Sequence, residues 1–161
     1  MEIDKHALLG DLITQAEAEL ASLVRAARNT HEAATHEEAK PENDKDTRGL
    51  EASYLASGQA ERVRELERTV QLLRALPVRD FASGAPIALG AVVHVVTENR
   101  EVICLVARGA GGMTSSLATI AVQVVTPESP LGRALIGQME GDEIEVLTGR
   151  GKRLYEIIRV R

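Results

Sequence analysis

The stretch TPESPLGRALIGQMEGDEIEV, Thr126 to Val146, sets a helix signal directly beside a strand signal. Ser129 is a preferred N-cap residue, Pro130 suits the first helical turn, and Gly137 suits the left-handed position that ends a helix. The spacing predicts one short helix over PLGRALIG. A few residues later, DEIEVL alternates acidic and apolar positions, the period-2 pattern of a strand with one buried face. The same pattern continues on both sides. RLYEIIRV follows across TGRGK, while AVVHVV, EVICLVA and TIAVQVV precede it, separated by TEN and RGAGG. These runs are short and rich in Val and Ile, and their separators carry turn chemistry. They predict five strands in a small antiparallel sheet with one short helix.

Upstream the period changes. LPVRDFASGAP carries two prolines and a glycine, so the linker is placed at 79–85, with the β-rich domain at 86–161. Before it, Leu9, Ile13, Ala16, Leu20, Leu23, Ala27 and Ala34 recur at alternating spacings of four and three, with Thr30 filling the gap. That is the seam of a coiled coil. Asp4 is a candidate N-cap. A second series begins at Ala52 and Ala56, runs through Val63, Leu66, Val70 and Leu73, and stops at Pro77. Gly58 costs this helix about 1 kcal/mol relative to alanine. Each seam is about 39 Å long at 1.5 Å per residue. Similar lengths on either side of a short break predict an antiparallel helical hairpin over 1–78, with Leu20, Leu23, Val63, Leu66 and Val70 as its core and a tip near 40–50. The fold class is α+β.

Composition narrows the function. With 161 residues and 44% apolar content, the chain has enough apolar side chains for a packed core. Its first residues hold neither a signal peptide nor a membrane-length apolar run, so a cytoplasmic location and no membrane partner are expected. Cys104 is the only cysteine; within EVICLVA it reads as a small buried hydrophobe. A net charge of −5 disfavours a protein that tracks phosphates directly, so any nucleic-acid contact is expected to be indirect. A monomer is expected.

Familiar motifs fail on spacing. His31 and His36 in HEAATH stand about 140° apart around a helix and do not share the face that a zinc pair requires. RGAGGMTSS lacks the ending of a phosphate loop and reads as a strand connection. GRGK reads as a hairpin turn. No intrinsic catalytic site is evident. What remains is the acidic break between the helices, HEEAKPENDKDTRGLEASYL, where Glu42, Asp44, Asp46 and Glu51 gather around Pro41 and Gly49.

TPESPLGRALIGQMEGDEIEV, followed by GKRLYEIIRV and preceded by LGAVVHVV, resembles the C-terminal domain of the bacterial Gre transcript-cleavage and elongation factors. A Ser-Pro, an Arg-Ala-Leu helix, a Gly-Asp and a closing Tyr-Glu-Ile strand occur in that order and spacing. The resemblance implies an FKBP-like β-domain that docks on RNA polymerase through Ser129, Pro130 and Arg133, and a coiled coil that enters the polymerase's secondary channel. It also implies that tip carboxylates help hold a Mg²⁺ shared with the polymerase, for which Asp44 and Asp46 are the candidates. No cofactor is implied for the chain alone. The tip departs from the family. Gre factors place an Asp seven residues and a Glu four residues before a Tyr; with Tyr54 as that Tyr and Ala52 matching the family's Ala, those positions hold Thr47 and Leu50. The acidic pair does not transfer residue by residue, and the sequence leaves open whether the factor promotes RNA cleavage or instead inhibits or competes at the channel. Two further readings are a prolyl isomerase built on the β-domain, which calls for an aromatic-lined pocket, and a coiled-coil assembly protein.

Overall fold

The computed structural model describes residues 3–35, 48–98, 100–117, 120–149 and 151–161. Two long helices come first: α1 (Lys5–Thr35) and α2 (Arg48–Arg74). Asp4 caps α1 as expected, its Oδ1 accepting from the backbone N–H groups of His6 at 2.9 Å and Ala7 at 3.0 Å. α2 runs unbroken through Gly58 and ends three residues before Pro77, whose ring has no place in a helix interior. No described helix is long and apolar enough to cross a membrane.

Among the described residues six strands follow: β1 (Val92–Thr97), β2 (Arg100–Val106), β3 (Thr114–Leu117), β4 (Ile120–Val125), β5 (Glu143–Thr148) and β6 (Gly151–Val160), with α3 (Pro130–Leu135) before β5. They form one sheet in the order β3-β4-β2-β1-β6-β5. Two expectations need correction. β3 is a strand where the sequence suggested only a glycine-rich connection, because Thr114, Ser115 and Ser116 lack the apolar alternation that marks a strand. And β2 pairs with β4 in parallel, so the sheet is mixed and not wholly antiparallel. Alternation reports that a strand has a buried face; it carries no information about the direction of its neighbour. The GRGK turn is as expected: Thr148 faces Gly151 across a two-residue loop, and Gly151 has φ +108°.

The chain divides into two compact units. One comprises Met1–Ile13 and Gln71–Arg161, the other Thr14–Val70. In the first, one sheet face packs a core of Val93, Val95, Cys104, Val106, Ile144, Tyr155 and Ile157. Leu135 of α3 joins that core. Val92, Leu105, Val122 and Val124 alternate with these positions and are also buried, as are Leu8, Leu12 and Leu73. Ser115 on β3 is fully buried and donates a short hydrogen bond to the carboxylate of Asp11 on α1. The first turns of α1 and the last turns of α2 thus belong with the sheet.

This arrangement also corrects the seam. Leu8 and Leu12 are buried while Leu9 and Ile13 are half-buried. A coiled-coil seam is a narrow stripe, but a helix lying on a sheet buries a wider one, and the paired apolar residues at 8–9 and 12–13 supply it. In the second unit Ala16, Leu66 and Val70 are buried as expected, whereas Leu20, Leu23 and Val63 are only half-buried. Arg62 on α2 bridges to Glu19 on α1 at 3.3 Å. The side chains of Ala27, Thr30, Ala34, Ala52 and Ala56 lie outside the described residues.

Candidate functional site

Helix α3 is short, so its termini dominate its energetics. Ser129 is the N-cap in extended geometry, φ −69° and ψ 152°. Its Oγ accepts from Gly132 N–H at 3.1 Å and donates to the Thr126 carbonyl at 2.7 Å. Pro130 occupies the first helical position, where no backbone N–H is needed. Gly132 is required by space: a Cβ there would stand 2.0 Å from the Thr126 carbonyl oxygen. The helix is therefore clamped onto the turn that precedes it. Gly137, at φ +84°, ends it and passes its N–H to Ile87 at 2.9 Å.

The clamp decides which docking candidates face outward. Pro130 and Arg133 are exposed, while Ser129 is half-buried and occupied by its two bonds. The Arg133 guanidinium donates to the Glu128 carbonyl, at 3.1 Å. The structure brings the three together on one capped helical turn. Ile136 and Met139 are also exposed, at 39% and 43%, and sequence reading missed them, because apolar residues beside a short helix resemble core. Beside α3 lies a groove of about 490 Å³ lined by Ser129, Pro130, Leu131, Arg153 and Tyr155 among others. Among the described residues that line it, Tyr155 is the one aromatic.

Of the tip carboxylates, Glu42, Asp44 and Asp46 lie outside the described residues, as does the side chain of Glu51, whose backbone is in the first turn of α2. His36 and the side chain of His31 fall outside them too. Among the described residues no group of three or more His, Cys, Asp or Glu is placed to hold a metal. Cys104 is buried, and desolvation pushes its thiol up to about 12 from 9.0. A thiol so held is no nucleophile at neutral pH.

Comparison with known proteins defines the class of the sheet-bearing part first. Residues 86–161 match the family model described as transcription elongation factor, GreA/GreB, C-terminal. A Cereibacter sphaeroides protein named transcription elongation factor GreA is 38% identical over 104 residues, which are 62% of this chain and 60% of that protein. Another of that name from Bartonella tribocorum is 32% identical over 118 residues, 68% of this chain and 70% of that protein. The chain belongs to the GreA/GreB transcription elongation factor family. It spans about 60% of the length of several of the curated relatives it matches. The crystal structure of GreA factor homolog 1 (Gfh1) of Thermus thermophilus covers 92% of this chain and 94% of its own at 22% identity, with a TM-score of 0.37, and at that score it adds nothing to the assignment.

Proposed function

We infer that this chain is a regulator of transcription elongation that binds RNA polymerase through the outward face of α3 and carries its acidic hairpin tip into the secondary channel. The observation that carries the reading is the match over 86–161, which includes Ser129, Pro130 and Arg133. The exposure of Pro130 and Arg133 on a clamped turn supports it, since a docking face costs least when its side chains are already ordered. The chain supplies position and charge, and the chemistry belongs to the polymerase. Carboxylate oxygens are the hard donors that Mg²⁺ takes, so Asp44 and Asp46 would hold an ion shared with the polymerase, where such an ion activates a water and stabilises a leaving oxygen.

A second reading is favoured by one observation. Leu50 and Thr47 occupy the positions where Gre factors carry their acidic pair, which fits a factor that occupies the channel and inhibits or competes without promoting cleavage. A backtracked-complex cleavage assay separates the two. If the tip supplies metal-directed carboxylates, Asp44→Asn/Asp46→Asn abolishes cleavage stimulation while polymerase pull-down persists. Stimulation at wild-type rate in that variant removes these carboxylates as ligands. Inhibition by the wild-type protein, relieved in the variant, establishes the second reading.

A further inference from the structure

Three stretches converge within the unit that holds the sheet: the start of α1 with Ile3, Lys5 and His6, the segment 78–83, and the end of β6. Between them lie two adjoining cavities of about 720 and 470 Å³ that share Ile3, Arg159 and Arg161. A bulge shapes this place. Val95 faces Ile157 and His94 faces Arg159 across β1 and β6, which leaves Ile158 as an extra residue. Strict alternation from the buried Ile157 would turn Arg159 inward; instead Ile158 and Arg159 are both exposed, and Val160 returns to the core. A bulge re-aims side chains in this way, and bulges concentrate at functional sites.

The charges here are unequally used. Lys5 Nζ and the Arg79 guanidinium lie 5.0 and 4.8 Å from the centre of the Phe81 ring, and Lys5 donates to the Arg79 carbonyl. Three carboxylates face the cavities. Glu140 accepts from Val160 N–H at 3.3 Å, Glu101 lies 3.2 Å from His94 Nε2, and Asp80 acts on Lys5. Arg159 and Arg161 have no side-chain partner among the described residues. Around them Ile158 and Val78 remain 38% and 36% exposed. Guanidinium groups with no described side-chain partner, beside accessible apolar surface, are the elements of a protein-binding hot spot. A simple phosphate ion would pair with the arginines and leave that apolar surface wet, whereas a peptide covers both.

We propose that this cleft binds an acidic peptide segment of a protein partner, with carboxylates on Arg159 and Arg161 and an apolar side chain against Ile158. The site is separate from α3 and stands independently of the polymerase reading. The test is a titration of the isotopically labelled full chain, followed by amide NMR, with a short peptide alternating glutamate and leucine. Shifts confined to residues 3–6, 78–83, 92–94, 101–103 and 158–161 are expected. Replacing glutamate by glutamine in the peptide removes them, and Arg159→Glu/Arg161→Glu weakens binding by about tenfold or more. The neutral variant Arg159→Gln/Arg161→Gln, with an intermediate loss, guards against a folding defect from charge reversal. Absent or dispersed shifts, equal binding by the glutamine peptide, wild-type affinity in the variants, or displacement of the peptide by an equal concentration of inorganic pyrophosphate would each overturn the proposal.

Discussion

Ser129 carries two roles that a single substitution confounds, and the geometry allows them to be separated. Ser129→Ala removes the acceptor for Gly132 N–H at 3.1 Å and the donor to the Thr126 carbonyl at 2.7 Å. Loss of a serine cap costs about 0.5–2 kcal/mol, and loss of a second net hydrogen bond about 0.5–1.5 kcal/mol. Because both bonds hold the same turn, their losses overlap, and a total of about 1–3 kcal/mol is expected in urea unfolding of the full chain. Ser129→Thr keeps the hydroxyl and should cost much less. Arg133→Ala removes an exposed bond to the Glu128 carbonyl and should cost under about 0.5 kcal/mol, as surface changes usually do. The pull-down reads the other role. Under conditions where every variant is folded, Arg133→Ala and Pro130→Ala should weaken polymerase capture, and Ser129→Thr should not. A Ser129→Ala variant as stable as wild type would refute the cap reasoning, and an Arg133→Ala variant that binds polymerase normally would refute the docking face.

Other expectations follow from burial and backbone. Leu12→Ala, at a fully buried position, should cost about 2–5 kcal/mol in the same unfolding assay, and more than Leu20→Ala at its half-buried site. Gly90 has φ +86°, and an added Cβ would stand 2.3 Å from the Pro77 carbonyl oxygen, so Gly90→Ala should destabilise by about 2–5 kcal/mol from strain and overpacking together; an unchanged denaturation midpoint would contradict this. Cys104 should resist a thiol reagent at pH 8 until the chain unfolds. The native state keeps the thiol proton up to about 12, while the unfolded chain releases it above about 9.0. The unfolded state therefore binds fewer protons in that window, and stability should fall as pH rises through it, by at most about 1.4 kcal/mol per pH unit. Cys104→Ala should lack this component, so identical pH slopes for the two proteins would exclude it.

Local chemistry was sufficient for the elements whose signals lie within a few residues. Asp4 as cap, Ser129 and Pro130 at the start of α3, Gly137 at its end, and the turn before Gly151 were all legible, because each answers to backbone sterics or hydrogen bonds inside one turn. The family was legible too, since the Ser-Pro, Arg-Ala-Leu and Gly-Asp spacing survives as text. Tertiary structure decided what depends on neighbours distant in the chain. β3 exists because β4 offers it a partner, although Thr114 to Ser116 show no apolar alternation. The parallel pairing of β2 with β4 is a matter of chain path. Leu8 and Leu12 are buried with Leu9 and Ile13 half-buried beside them because the helix base lies with a sheet, where a wide apolar stripe outcompetes a narrow seam. The bulge at Ile158 changes which side of β6 Arg159 occupies, and with it which charges meet at the N-terminal end of α1. Sequence periodicity alone states only that a residue is apolar and how often such residues recur. Which surface covers that residue is a property of the assembled fold.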